Sequence, residues 1–309
     1  AVYVPTGGMI PHGADSVVMI EYVEKLDNTT IAIHKPVSVK ENIIGIGDDI
    51  KIGELVLEKG KMLTSKNIGV LAALGISQVE VFKKIKFAVI STGDEIIDIE
   101  EEAMPGQIRD INSYTLNASI LSNFGETVYR KIVEDSISAL TGVLKEAIEL
   151  SDIVLISGGS SVGERDYALE AIKSLSGEIL IHGVGIKPGK PTIVGKIGNK
   201  AIFGLPGHPV STINIFNVFV KPLIQKMLSI QKENFYIKAT MTQNVHGFPG
   251  LETYQMVSLE QKENKIYATP CFGKSGMISL LAKASGYIVI EAHKEGFNKN
   301  EEVKVYSFE

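Results

Sequence analysis

The chain has 309 residues, 44% hydrophobic and 22% charged, with a formal net charge of −5 and no Trp. That length allows more than one hydrophobic core, and the negative balance argues against general electrostatic attachment to nucleic acid or an anionic membrane. No apolar run reaches spanning length and the first residues do not read as a leader. The single cysteine, Cys271, excludes an internal disulfide and is expected as a small buried hydrophobe in a cytoplasmic setting.

Residues 1–39 read as a β-type region. The chain opens at Ala1 in what looks like mid-strand, which suggests a missing N-terminal part, and 5–15 is a Gly/Pro-rich loop. Runs 17–24 and 29–37 are rich in β-formers and flank Asp27-Asn28, a hairpin signal. Gly47-Asp48-Asp49 sits in a turn, where paired acids usually shape the turn and sometimes hold a metal. Residues 67–74 read as a short helix ended by Gly75.

From residue 86 strands and helices alternate. The strand 86–90 runs into Ser91-Thr92-Gly93-Asp94-Glu95. Asn112 or Ser113 is expected to cap a helix with Leu116, Ile120, Leu121 and Phe124 on one face, ended by Gly125. Strand 127–133 follows, then a helix capped by Asp135 or Ser136 with Ile137, Leu140, Leu144, Ala147 and Ile148 inward. Ile153 to Ile156 is a short β-branched run, as in a strand buried on both faces of a parallel sheet. It leads into Ser157-Gly158-Gly159-Ser160-Ser161, where small hydroxyls and free amides form an anion cradle; an ordinary tight turn is the plain alternative. A helix of about three turns, a common globular length, is expected from Asp166. A strand from Glu178 precedes Lys187-Pro188-Gly189-Lys190-Pro191. A hairpin turning at Gly198-Asn199 ends in Gly204-Leu205-Pro206-Gly207-His208-Pro209. The helix from 210 to about 228 is apolar nearly all round, which marks burial at a domain or subunit contact. From 229 short β runs resume, interrupted by a helix-prone loop at 273–286.

The pattern predicts a multi-domain α/β plus β chain. An N-terminal β-rich region spans 1–85, a three-layer α/β domain 86–228, and a small all-β domain 229–309. Ligands of such sheets bind outside the carboxyl ends of the strands. Asp94, Glu95, Asp110, Asp135 and Asp166 all fall at that edge. Their mutual repulsion suggests a hard divalent cation, Mg²⁺ above all, and Lys187 and Lys190 suit an oxyanion. His208 reads as structural, with Gly204 and Gly207 letting the chain pass close to a ligand.

The segments TGGMIPHGADSVVMIE, GDDI, FAVISTGDEI, IRDINSY, SGGSSVGERDY, GIKPGKPTIVGK and GLPGHPVS, in this order, resemble those of molybdopterin molybdenumtransferases, the MoeA and gephyrin E-domain type. The resemblance implies a molybdopterin-binding α/β domain, a C-terminal β-barrel and an elongated homodimer. It implies insertion of molybdenum from molybdate into adenylylated molybdopterin, with Mg²⁺-dependent release of AMP. The residues it marks as catalytic are Asp49, Glu95, Asp135, Asp166, Lys187 and Lys190, with Glu95, Asp135 and Asp166 on the metal. Thr92, Gly93, Asp110, Asn112, Ser113, Ser157, Gly158, Gly159, Ser160, Pro188, Gly189, Pro206, Gly207 and, more loosely, Ser275 would bind the substrates. Candidate partners are the adenylyltransferase and molybdoenzymes.

Two departures are visible. Family members begin further upstream with a segment that carries another acid, so turnover is expected to be poor. Glu134-Asp135-Ser136 stands where members often show two aspartates, leaving open which carboxylate reaches the metal. A molybdopterin adenylyltransferase shares the α/β domain, as does a nucleotide-amide hydrolase of the competence-protein type, but the flanking β regions fit neither. A non-enzymatic, gephyrin-like scaffold is the third reading, and it would not need the acids and lysines this chain keeps.

Overall fold

The computed structural model describes residues 1–158, 166–230 and 235–308. The chain divides into two compact units, 1–67 and 68–309. In the first, a 3₁₀ turn (Ile20–Tyr22) leads into the antiparallel pair β1 (Val23–Lys25) and β2 (Ile31–Ile33). The hairpin forms at the expected Asp27-Asn28, because the Asp27 carboxylate accepts from the Thr29 and Thr30 amides at 2.7 and 2.8 Å. Its strands are much shorter than the β-rich runs. No residue of 1–67 is buried, and two strands without a covered face hold little structure. The opening residues lie in irregular backbone rather than mid-strand.

The second unit runs α1 (Ser65–Ala73, begun in the first), β3 (Ile85–Thr92), β4 (Ile96–Ile97), β5 (Ile108–Arg109), α2 (Asn112–Ser122), β6 (Gly125–Val133), α3 (Ile137–Leu150), β7 (Ile153–Ser157), α4 (Tyr167–Ser174), β8 (Glu178–His182), β9 (Ile186–Lys187), β10 (Ile193–Ile197), β11 (Lys200–Leu205), α5 (Pro209–Ile215), a π-helical turn (Phe216–Val220), α6 (Lys221–Met227), β12 (Tyr236–Met241), β13 (Val245–His246), β14 (Glu252–Lys262), β15 (Lys265–Pro270), α7 (Ile278–Lys283), β16 (Gly286–Ile290), β17 (Gly296–Phe297) and β18 (Glu302–Tyr306).

Six strands form one sheet in the order β6-β3-β7-β11-β10-β8. β3, β6, β7 and β11 are mutually parallel, and β10 is the antiparallel member. β7 lies between β3 and β11, and its alternation splits it between two cores. Ile153 and Leu155 pack with Phe87, Leu116, Phe203 and Phe216. Val154 and Ile156 pack with Leu140, Leu144, Ala168 and Ile172 on the other face. That is why the run carries no polar residue.

Strands β15-β12-β18-β16-β14 form a second sheet that closes on itself through β14–β15, a five-stranded barrel around Met241, Val257, Ala268, Ile288 and Val305. β9 adds to it in parallel beside β14. α5 bridges the two sheets: Ile215 lies in the first core, while Val210 and Ile213 meet Met256 of β14 and Leu280 of α7. The all-round apolar character of this helix therefore reflects contacts within its own chain. Its middle widens into a π-turn just before Pro222, whose ring nitrogen has no hydrogen to donate back along the helix.

Several expectations need correction. Leu121 and Phe124 are 55% and 42% exposed, because α2 ends at Ser122 and Phe124 turns away with φ of 64°. Gly125 opens β6 instead of ending the helix. Ile137, 43% exposed, sits outward at the start of α3, and Val143 takes an inward place instead. Of the two caps expected for α3, Ser136 is the one in place, as expected. α2 has no side-chain cap at its N-cap position; the Asp110 carboxylate receives the Ser113 amide at 3.1 Å. α4 has eight residues, about two turns. Among the described residues no helix is long and apolar enough to cross a membrane.

Because Leu155 is fully buried in the central strand, Leu155→Ala is expected to cost about 2–5 kcal/mol. Urea unfolding checks this; a loss under about 1 kcal/mol would contradict central burial.

Candidate active site

α2, which follows β3, packs on one face of the sheet, and α4, which follows β7, packs on the other. Neighbouring strands whose outgoing helices part to opposite faces leave a crevice at their carboxyl ends. Thr92 and Ser157–Gly158 stand at that crevice. Gly158 has φ of +96°, and a Cβ there would collide with the Thr92 carbonyl oxygen. Only glycine allows the two loops to meet this closely. The Gly158 amide donates to the Leu205 carbonyl at 3.2 Å. A Cβ on Gly207 would lie 3.6 Å from the Gly158 Cα, so the loop after β11 passes over the same point.

Asn112, at the start of α2, ties these loops together. Its Nδ2 donates to Ser157 Oγ and to the Gly207 carbonyl, both at 2.7 Å. Its Oδ1 is buried without a partner among the described residues, as are Ser91 Oγ and Ser113 Oγ. Ser113 and Asp110 are buried beneath the crevice wall. Gly159 and Ser160, also expected in the cradle, lie outside the described residues.

The acids divide by role. The Thr92 hydroxyl donates to Asp135 Oδ1, and the Asp135 amide donates to Asp94 Oδ1 at 3.0 Å. Asp135 thus leans against the crevice while Glu134 is exposed. Gly93 is anchored by its amide on the Val133 carbonyl at 3.2 Å, and Glu95 is exposed just beyond. Asp166 caps α4, accepting from the Leu169 amide at 3.1 Å, and its other oxygen lies 3.5 Å from His182 Nε2. Burial pushes its carboxyl above the usual 3.8, against the lowering effect of the Leu169 bond and of His182. Among the described residues no three acids, histidines or cysteines gather as a ready metal cage. Asp49 is exposed in the first unit, where Asp48 forms the turn by accepting from the Gly45 amide at 2.7 Å.

The Lys187–Lys190 loop is held from below. Pro188, joined by a cis bond, gives its carbonyl to Asn214 Nδ2 at 2.7 Å, and Gly189 packs against Ile215 where a side chain would collide. Lys187 pairs in β9 with Thr253 of β14, and its Nζ sits 3.1 Å above the Phe248 ring centroid. Lys190 is exposed. The Pro206 carbonyl accepts from Thr212 Oγ1 at 2.6 Å. Ser275, from the barrel's loop, lies 2.8 Å from His208 Nδ1. Thr212, Asn214, His208 and Phe248 were not singled out as site residues in the sequence. Thr212 and Asn214 do leave a trace there, as polar residues inside an otherwise apolar helix.

Residues 88–226 match the family model described as "Probable molybdopterin binding domain". Residues 1–75 match the MoeA N-terminal region (domains I and II), and 238–308 the MoeA C-terminal region (domain IV). A molybdopterin molybdenumtransferase of Staphylococcus aureus is 33% identical over 99% of this chain and 73% of its own length. That of Haemophilus influenzae is 33% identical over 100% of this chain and 77% of its own. The crystal structure of a molybdopterin biosynthesis MoeA protein from Pyrococcus horikoshii superposes with a TM-score of 0.83 at 35% identity, covering 98% of this chain and 74% of that one.

The raised Asp166 carboxyl has a consequence for stability. The folded state holds that proton more tightly than the unfolded chain, so stability is lost as pH rises from the unfolded value toward the raised one. Asp166→Asn keeps the cap and removes this loss, so its stability relative to the parent should improve as pH rises from below the ordinary aspartate range through the raised carboxyl. Asp166→Ala should lose about 1 kcal/mol with the cap. Thermal unfolding across pH checks both; a parent that gains on Asp166→Asn as pH rises would contradict the burial of this carboxyl.

Proposed function

We propose a reaction for this chain from one premise: it belongs to the MoeA family, the molybdopterin molybdenumtransferases. It transfers molybdenum to molybdopterin in molybdenum cofactor biosynthesis. The substrates are adenylylated molybdopterin and molybdate, and AMP leaves. An adenylyltransferase reading is not favoured, since the molybdenumtransferases match along nearly the whole chain, barrel included.

The observation that carries the site assignment is the contact of Thr92, Gly158 and Gly207 at the reversal of strand order. Bare backbone at the carboxyl ends of parallel strands suits a phosphorylated ligand. In this reading Thr92, Gly93, Ser157, Gly158, Gly159, Ser160, Pro206 and Gly207 line the pterin phosphate. Asp110, Asn112 and Ser113 hold the crevice wall, while Pro188 and Gly189 set the lysine loop. Lys187 and Lys190 receive molybdate as point charges. Asp49 is a further acid that the family resemblance marks for the reaction.

Mg²⁺ fits the donors present. It is commonly held by one or two carboxylates with substrate phosphates and water, not by a full protein cage. Glu95 and Asp135 offer hard oxygens beside the crevice, and a cation would favour the charged form of the half-buried Asp166. When bound, Mg²⁺ supplies charge neutralisation at the pyrophosphate. The chain is read as three parts, 1–85, 86–228 and 229–309, and the acids of the middle part, Glu95, Asp135 and Asp166, orient that group. A homodimer in the cytoplasm, meeting the adenylyltransferase and molybdoenzymes, completes the proposal.

Single-turnover AMP release from adenylylated molybdopterin, at two molybdate concentrations, tests this reading. Asp166→Asn should retain substrate binding but release AMP about a hundredfold more slowly. Lys187→Ala should need more molybdate for the same rate. Parental AMP release by Asp166→Asn would remove this carboxylate from the reaction.

A further inference from the structure

We propose that His208 is a positioning residue that turns the Ser275 hydroxyl proton outward, so that the barrel's loop presents a donor to a tetrahedral oxyanion of the reaction. The inference rests on molybdenum transfer being the reaction of this chain. Three contacts fix the geometry. His208 Nδ1 lies 2.8 Å from Ser275 Oγ. The Val210 amide donates to the Ser275 carbonyl at 3.1 Å. A Cβ on Gly276 would lie 3.6 Å from the His208 ring, an ordinary packing distance, so the loop runs alongside that ring. His208 directly follows Gly207, which lies over Gly158. The hydroxyl is thereby linked to the edge of the crevice, although residues 208 and 275 are far apart in sequence and belong to different sheets' surroundings.

A serine hydroxyl has one proton and two lone pairs. When Nδ1 carries a hydrogen it donates to Oγ, and the serine proton is left free to meet an anion. When Nδ1 is bare it takes that proton, and lone pairs face outward and repel an anion. An oxyanion therefore selects the first arrangement. Two anions of the reaction have this chemistry, molybdate and the substrate's phosphate. Val210 holds the loop by its backbone in either case, so the imidazole's effect is on the orientation of the hydroxyl.

Isothermal titration of the full chain with molybdate, and separately with AMP, compares the parent with His208→Ala, His208→Asn, Ser275→Ala and the double variant His208→Ala/Ser275→Ala. Asn supplies a side-chain N–H in place of Nδ1–H. His208→Ala should weaken one of the two anions about tenfold, as for one lost donor, while His208→Asn stays within about threefold. The double variant should bind no worse than Ser275→Ala alone. The arm that weakens identifies the anion. Parental affinity for both anions in His208→Ala, additive losses in the double variant, or no rescue by Asn would each overturn the proposal. A parent that binds neither anion would overturn the assigned reaction and this inference with it. Thermal unfolding of each variant separates loss of fold from loss of the anion.

Discussion

The site depends on one constraint: β7 is buried on both faces and must leave the sheet beside β3, whose chain departs to the opposite side. Two apolar cores press on β7, and that pressure fixes where Ser157 and Gly158 emerge. The Thr92 carbonyl then occupies the space a side chain at 158 would need. Glycine here follows from the meeting of two strands, and the open backbone it leaves is what a phosphorylated ligand can approach.

The barrel is drawn into the same region. β9 lies in the connection between the antiparallel neighbours β8 and β10 and pairs with β14, so the lysine loop that follows it is anchored on barrel backbone. Phe248 and Ser275 come from barrel loops and reach Lys187 and His208. The lysine loop and His208 thus each rest on the barrel as well as on the first sheet. The carboxylates are distributed differently: Asp135 is tied to Thr92, Asp94 to the Asp135 amide, and Asp166 to its helix and His182. Each has a local task, and these ties hold the carboxylates apart from one another.

Much of this was legible in the sequence, wherever local pattern decides structure. The buried β-branched run at β7, the turn at Gly198-Asn199 and the short β runs after residue 229 all appear at the expected places. Patterns failed where an element's end depends on its surroundings. Leu121, Phe124 and Ile137 have the right spacing but fall at helix ends, where the backbone turns away from the core. Long-range pairings left no local trace: closure of β14 on β15 is a hairpin that any reader could expect, but β9 joining β14 is not. The bond from His208 to Ser275 spans 67 positions, and nothing near either residue announces it. Asp110 as the group receiving the Ser113 amide was hidden by two better-looking caps beside it.

The central claim is that the pterin substrate sits at the reversal between β3 and β7. Hydrogen–deuterium exchange of the full chain, with and without saturating molybdopterin, tests it most directly. The account predicts added protection in peptides covering 91–95, 110–113, 157–158 and 205–208, with the first unit's hairpin unchanged. Protection confined to the barrel strands, with those four segments exchanging as in the free protein, would contradict it.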